Sequence, residues 1–363
     1  MFQRTEILPV ILALAASTLL SFLLTPPVKR LAHKIGAVDI PKDERRMHKQ
    51  PIPRLGGLAI FSGCVIALLT FAQISLQLRG ILIGAVIIVA VGIMDDIRPL
   101  SAGVKLILQI VSSLIAVGHG VLIPAIANPF PFGGEYWYFG IWSIPITVIW
   151  IVAVTNSVNL IDGLDGLAAG VSTIGALTML IISLLMGDVA MATICAALVG
   201  ACTGFIPYNM NPAKIFMGDT GSTFLGYMLA TISVLGLFKF HAVISFVVPF
   251  IILGLPIYDT TSAFTRRILR GQNPMTADRS HTHHKLIDMG MNQKQAVATL
   301  YLISCVLGLC AVMIVSSGYI KLILFAVAML ITAYTVTRIV RYPHDKKSDM
   351  NNDNINNTDK EAD

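Results

Sequence analysis

Between residues 57 and 265 the chain carries eight acidic side chains. Six of them (Asp95, Asp96, Asp162, Asp165, Asp219 and Asp259) fall at or near one set of ends of long apolar runs, while Glu135 and Asp188 fall at the other. A carboxylate at the centre of a bilayer costs about 2.5–3.5 kcal/mol on insertion scales, which explains acids at span ends but not their preference for one side. Six acids on one face repel one another unless a divalent cation or a cationic ligand joins them. Oxygen-only ligands suit Mg2+, which takes one or two carboxylates together with substrate phosphates. The chemistry to expect is a metal–phosphate site, with Mn2+ able to replace Mg2+.

These acids and their neighbours come in distinct settings. Met94-Asp95-Asp96-Ile97-Arg98-Pro99-Leu100-Ser101 ends a span with two adjacent carboxylates, a pairing that more often faces a cation than water. In Asn156-Ser157-Val158-Asn159-Leu160-Ile161-Asp162-Gly163-Leu164-Asp165-Gly166-Leu167, residues Asn156, Asn159 and Asp162 share a helical face if the helix persists. The two Asp-Gly steps bend the chain and leave backbone N–H groups free to approach a phosphate. Helix capping by Asp162 or Asp165 is the plainer alternative. Asn211-Pro212-Ala213-Lys214-Ile215-Phe216-Met217-Gly218-Asp219 puts a carboxylate at an expected helix start. Capping would explain it too, but Lys214 and the glycines favour an anion and a metal together.

The segment 259–296 holds Asp278-Arg279-Ser280-His281-Thr282-His283-His284-Lys285. It has no cysteine and no zinc-type histidine spacing. Beside Arg266, Arg267 and Arg270 it reads as a basic surface for a polyanion, with a solvated loop as the bland alternative. A second basic run, Arg45-Arg46-Met47-His48-Lys49, precedes Pro53-Arg54-Leu55-Gly56-Gly57. Topological anchoring suffices for that run, and a lipid-phosphate contact competes with it. His33, His119, His241 and His344 are isolated, and no role is assigned to them.

The elements that must position these residues are membrane spans. Of 363 residues 55% are apolar and 13% charged, half the ~25% charged residues of a soluble domain. Mean hydropathy is +0.76. Such a chain needs lipid as its solvent, which excludes a soluble enzyme, a secreted disulfide scaffold and a disordered protein. The five cysteines lie scattered in apolar runs and read as small packing residues. The first run is too long for a signal-peptide core and reads as a retained helix.

Spans are expected near 7–26, 57–77, 81–95, 104–125, 142–158, 164–186, 190–208, 220–238, 242–258, 297–317 and 320–338. One side of that arrangement then holds 22 of the 26 Lys and Arg residues. The positive-inside rule makes that side cytoplasmic, with the N-terminus outside, the C-terminus inside and the acids on the cytoplasmic face. The basic excess therefore reflects topology, and no nucleic-acid partner is expected. Tyr136, Trp137 and Tyr138 in the outer loop 126–141 read as an interfacial belt. The expected fold is an all-α polytopic membrane protein of about eleven transmembrane helices, one integral domain over 1–341 and a disordered polar tail over 342–363.

The ordered pieces Pro-Arg-Leu-Gly-Gly, MDDIRPLS, NSVNLIDGLDGLAAG, NPAKIFMGDTGS and DRSHTHHKL resemble the polyprenyl-phosphate N-acetylhexosamine-1-phosphate transferases, from about residue 35 to 290. The DRSHTHHKL version looks like the bacterial UDP-GlcNAc branch that initiates wall teichoic acid or O-antigen synthesis. The UDP-MurNAc-pentapeptide branch has three consecutive histidines, which Thr282 interrupts here. The resemblance implies an enzyme of the bacterial plasma membrane. It would transfer GlcNAc-1-phosphate from UDP-GlcNAc to undecaprenyl phosphate with Mg2+, releasing UMP, and is compatible with a homodimer.

By the same resemblance Asp219 is the direct Mg2+ ligand, with Asp95 and Asp96 as further ligands or as the base for the lipid phosphate. Asp162 joins them as a catalytic carboxylate. Asp165, Leu167 and Phe216 look like a uridine pocket, and Arg279, His281, His283 and His284 would hold the diphosphate and sugar. Asn156, Asn159, Lys214 and Arg54 complete the expected substrate contacts. A phosphomonoester has its second pKa near ~6, so positioning by Asp95 and Asp96 is as good a reading as proton removal. A muramoyl-type transferase is the near alternative. A membrane prenyltransferase is a remoter one, because Pro99 stands where its D-D-x-x-D pattern would need an acid. A transporter would be expected to carry polar groups at mid-bilayer, where these spans are apolar.

Overall fold

The apolar runs of the sequence form helices among the residues that the computed structural model describes, 4–40, 51–127, 136–236, 244–269, 271, 281–316, 321 and 323–336. The helices are α1 (Arg4–Ile35), α2 (Gly57–Phe71), α3 (Leu76–Ile97), α4 (Ala102–Gly118), α5 (Ser143–Leu160), α6 (Leu167–Leu185) and α7 (Val189–Asn209). They continue as α8 (Gly218–Gly236), α9 (Ile244–Ile252), α10 (Gly254–Leu269), α11 (Thr282–Asp288), α12 (Gln293–Val315) and α13 (Ile323–Val336). Two antiparallel ribbons complete the described structure: β1 (Val38–Asp39) with β2 (Ile52–Pro53), and β3 (Ala125–Ala127) with β4 (Tyr136–Tyr138).

Side-chain oxygens start several helices by accepting first-turn N–H groups. Ser75, Ser101 and Asp188 cap α3, α4 and α7, and Asn292 with Gln295 forms a reciprocal box on α12. Among the described residues, six helical segments are long and apolar enough to cross a bilayer, and α2, α4 and α13 are shorter apolar helices. Large apolar side chains such as Leu19, Leu69, Ile107 and Ile149 point outward, as lipid contact requires. The protein is a polytopic all-α membrane protein.

Helix α8 is the axis. Every residue from Thr220 to Gly236 is buried, and α2, α3, α5, α6 and α7 surround it. Its first turn is held by backbone contact, because Gly57 of α2 lies against Gly221, and Gly92 of α3 against Thr220, with no room for a Cβ. The start of α8 is therefore fixed by two helices at once.

Three expectations about the elements need correction. The first span, read as ending at residue 26 before a loop, continues through Pro26 and Pro27 to Ile35. Packing on α7 and α2 outweighs the local cost of the prolines. The run 242–258 is not one span but two helices separated at Leu253, where Pro249, Gly254 and Pro256 weaken the helical ladder. The segment 259–296 contains the rest of α10 and all of α11 in place of an open loop. The tail 342–363 lies outside the described residues.

Candidate functional site

A cavity of about 800 Å³ opens where α5 and α7 end and α6 and α8 begin. Of the residues singled out in the sequence, Arg54, Asn159, Asp162, Asp165, Lys214, Phe216, Asp219 and His284 line it. One wall is set by backbone pairing. Phe216 N–H donates to the Pro53 carbonyl at 2.8 Å, and Gly56 N–H donates back to the Phe216 carbonyl at 2.9 Å. Gly57 N–H donates to the Met217 carbonyl at 2.8 Å, so the Arg54 segment is zipped alongside the residues that lead into α8.

Asp95 and Asp96, adjacent in sequence, are used differently. Asp96 is buried on α3 and turned towards α8. Its Oδ1 accepts from Arg54 Nε and from Asp219 N–H, both at 3.0 Å. Its Oδ2 accepts from Thr220 N–H at 3.0 Å and from the Thr220 hydroxyl at 2.6 Å. This is a helix N-cap delivered from a neighbouring helix, with both oxygens committed. Asp95 Oδ1 accepts from Leu100 N–H at 2.8 Å and so closes the α3–α4 turn. Its Oδ2 lies 3.3 Å from Lys105 Nζ, which in turn lies 2.9 Å from Asp219 Oδ2. Arg54 Nη2 is 3.9 Å from Asp219 Oδ1. The acids are thus matched by Lys105 and Arg54, which offset part of their mutual repulsion.

The Asp-Gly loop divides its residues between the cavity and the bundle. Asn159 Nδ2 donates to Ser222 Oγ at 2.8 Å and ties the end of α5 to α8. Asn156, expected on the same ligand-facing surface, instead faces α4, where its Nδ2 donates to Gln109 Oε1 at 2.7 Å. Leu167 is a core residue at the start of α6, not part of the cavity wall. Asp162 sits past the end of α5, half-buried on the cavity. Burial, reinforced by the Asp219 and Asp96 carboxylates, pushes its carboxyl up to about 8. Neither Asp162 nor Asp165 caps α6, whose N-cap is Gly166. Asp165 Oδ2 accepts from Asn211 Nδ2 at 2.9 Å and from Ala213 N–H at 3.0 Å.

The three histidines form layers, and only His284 lines the cavity. His283 is buried behind it against Gly163, its ring centroid 4.3 Å from that of His284. Burial, aided by His284, pulls His283 down to about 4, so it is neutral near pH 7. His281 is buried too, its Nδ1 2.8 Å from Asp259 Oδ2. Thr282, the residue that interrupts the histidine run, donates its N–H and hydroxyl to Asp259 Oδ1, both at 2.6 Å. Burial alone would raise the Asp259 carboxyl, but the bonds from His281 and Thr282 hold it below its ordinary value. Arg279 lies outside the described residues.

Sequence reasoning missed several site residues. Lys29 and His33, on the part of α1 beyond its prolines, line the cavity, as do Asn209, Asn211 and Gln293. No motif flags Lys29 or His33, because their place depends on α1 remaining helical. Lys105 was legible only as topological charge, although it stands about one helix-start beyond the Asp95–Asp96 pair.

The donor chemistry fits Mg2+. Among the described residues, no three or more His, Cys, Asp or Glu side chains converge to cage a metal unaided. Magnesium does not need such a cage, since it is held by one or two carboxylates and substrate phosphates. The Lys105 ammonium between Asp95 and Asp219 shows that these oxygens face a position suited to a cation.

Known proteins share this chain's sequence. Residues 78–237 match the family described as glycosyl transferase family 4. A Bacillus subtilis protein named probable undecaprenyl-phosphate N-acetylglucosaminyl 1-phosphate transferase is 43% identical over 323 residues, 89% of either chain. A Mycolicibacterium smegmatis decaprenyl-phosphate N-acetylglucosaminephosphotransferase is 34% identical over 314 residues, 79% of this chain and 77% of its own. An Escherichia coli O157:H7 undecaprenyl-phosphate alpha-N-acetylglucosaminyl 1-phosphate transferase is 27% identical over 327 residues, 85% of this chain and 86% of its own. Likeness sustained along so much of the molecule, with Asp162, Asp165 and Asp219 brought to one cavity, is decisive: the chain belongs to glycosyl transferase family 4.

Proposed function

We propose that the protein transfers GlcNAc-1-phosphate from UDP-GlcNAc to undecaprenyl phosphate, releasing UMP, at the cytoplasmic face of a bacterial plasma membrane. The observation that carries this reading is one polar cavity, with facing carboxylates and cations, at the ends of apolar helices. A lipid-anchored phosphate and a soluble nucleotide sugar can meet only at such an interface. The excess of Lys and Arg on the side of the helices where the cavity opens would make that side cytoplasmic by the positive-inside rule. Relatives whose names specify undecaprenyl phosphate and N-acetylglucosaminyl 1-phosphate support the choice of acceptor and transferred group.

In the transfer, an oxygen of the lipid phosphate forms a bond to the β-phosphorus as the bridging P–O bond breaks. The electron pair of that bond leaves with UMP. An acceptor already mostly dianionic at neutral pH requires no base, so positioning and charge neutralisation dominate. Asp219, with Asp95 beside it, would hold Mg2+, which when bound supplies positive charge to the diphosphate. Lys105, Arg54 and Lys214 neutralise phosphate oxygens, and His284 meets the diphosphate or sugar from the opposite wall. Asp165 receives the uracil edge while Phe216 stacks on its ring. Asp96 positions the start of α8 and with it Asp219.

The test is UMP release by the purified protein from UDP-GlcNAc, with added undecaprenyl phosphate and Mg2+. Turnover that needs all three supports the proposal. Faster turnover of UDP-MurNAc-pentapeptide, or pyrophosphate as the product, refutes it. The interrupted histidine run favours the smaller donor, because Thr282 is bound to Asp259 and does not present a third consecutive imidazole.

A further inference from the structure

Helix α12 carries none of the acidic or histidine motifs, yet one of its side chains bonds the Asp-Gly loop and another bonds Asn211, which itself bonds that loop. Gln293, its first residue, accepts on Oε1 from Asn211 Nδ2 at 2.7 Å. The other hydrogen of that nitrogen is directed at Asp165 Oδ2, 2.9 Å away. With Ala213 N–H also on Oδ2, one oxygen of Asp165 is held by protein, while among the described residues Oδ1 accepts no bond. About two turns along α12, the Tyr301 hydroxyl donates to the Gly166 carbonyl at 2.5 Å. Its ring lies against Gly170 with no space for a Cβ there.

Gly166 is in the left-handed region, φ 79°, and its N–H donates to Asn209 Oδ1 at 3.1 Å. Only glycine takes that conformation at little cost, so the turn is fixed by residue type and by a hydrogen bond at each end. The residue held in front of it is Asp165. Its carboxylate direction is set by the Gln293–Asn211 bridge on one side and the Tyr301–Gly166 bond on the other.

We infer that α12 is a strut for nucleotide recognition, with Gln293 and Tyr301 as positioning residues that aim Asp165 Oδ1 into the cavity. This rests on the proposal that Asp165 contacts the uracil. Tyr301 does not line the cavity, so any effect of its hydroxyl on the nucleotide passes through the loop. The strut also explains why Asp165 keeps one oxygen open in a neighbourhood crowded with donors: the other is occupied by Asn211 and Ala213.

The experiment measures UMP affinity by titration calorimetry on the purified full chain in Mg2+ buffer, together with kcat and KM for the nucleotide sugar. Tyr301→Phe leaves the ring in its glycine notch and removes only the hydroxyl. It should weaken UMP binding by about 2- to 10-fold, the worth of one net hydrogen bond, while kcat at saturating donor changes little. Gln293→Ala should act in the same direction. In an Asp165→Asn background the Tyr301→Phe effect should fall below about 2-fold, since coupled residues are not additive. Equal losses in both backgrounds would show that Tyr301 serves packing alone and would overturn the inference. If Asp165→Asn weakens UMP binding but both α12 variants bind like wild type, only the strut fails. If Asp165→Asn itself leaves UMP affinity unchanged, the uracil contact fails, and the strut with it.

Discussion

Replacing Asp96 by asparagine separates positioning from chemistry at the acidic pair. The Asp96 side chain has no exposed surface, and its two oxygens accept from Arg54, Asp219 N–H, Thr220 N–H and the Thr220 hydroxyl. An amide has one oxygen. If its NH2 takes the Oδ1 place it faces Arg54 and Asp219 N–H; in the Oδ2 place it faces Thr220 N–H. Either way a backbone donor at the start of α8 is left without an acceptor, at about 1–3 kcal/mol. Breaking a fully buried charge pair costs about 3–5 kcal/mol, and the partial exposure of Arg54 puts this case at the low end.

A loss of about 3 kcal/mol corresponds to a Tm fall on the order of 6–12 °C at the 2–4 °C per kcal/mol of mid-sized domains. The assay is thermal unfolding of wild type and Asp96→Asn in one detergent, alongside UMP release well below both midpoints. The expected variant is destabilised and retains turnover in proportion to folded protein. An Asp96→Asn protein with wild-type Tm and no turnover would refute the capping argument and return Asp96 to the reaction itself.

Asp219→Asn should behave in the opposite way, keeping the wild-type Tm and losing turnover; activity above about a tenth of wild type at saturating Mg2+ would exclude it as the metal ligand. Asp162 has a folded-state pKa near 8 against an ordinary 3.8, so the folded protein holds the extra proton between those values and loses stability as pH rises through them. Asp162→Asn should therefore raise the Tm of the nucleotide-free protein more at pH 8 than at pH 5, and an increment independent of pH would contradict the burial argument. In a cysteine-free background, Tyr136→Cys should react with an impermeant thiol reagent in intact cells and Ala213→Cys only after permeabilisation. The reverse pattern would invert the proposed topology.

The site was legible where chemistry forces residues to span ends. Asp162, Asp165 and Asp219 stand out because an acid within lipid is costly, and the structure brings all three to one cavity. What sequence could not separate was Asp95 from Asp96. Consecutive helical residues point about 100° apart, so one faces the α3–α4 turn and the other faces α8. Which does which depends on pairings such as Lys105 with Asp219 and Arg54 with Asp96, remote in sequence. Helix positions were legible from apolar runs, but the continuation of α1 through two prolines and the division near Leu253 were settled by packing against other helices. The histidines looked equivalent in the sequence; the contacts of His281 with Asp259 and of His283 with Gly163 rank them by depth.

The glycines that seat α8 set a limit on what mutational scanning can reveal. Gly57 and Gly92 touch the backbone of its first turn, and a Cβ at Gly218 would meet the Asp96 carboxylate. Any larger residue at these places must displace Asp219 from its neighbours, so an activity-scored scan would rank three residues without side chains beside the carboxylate proposed to bind Mg2+. Scoring each variant for its amount in the membrane as well as for turnover would separate the two groups. The glycine variants should lose protein, whereas Asp219→Asn should remain abundant and silent. In this molecule, intolerance to substitution would mark the seat of the proposed metal ligand as strongly as the ligand itself.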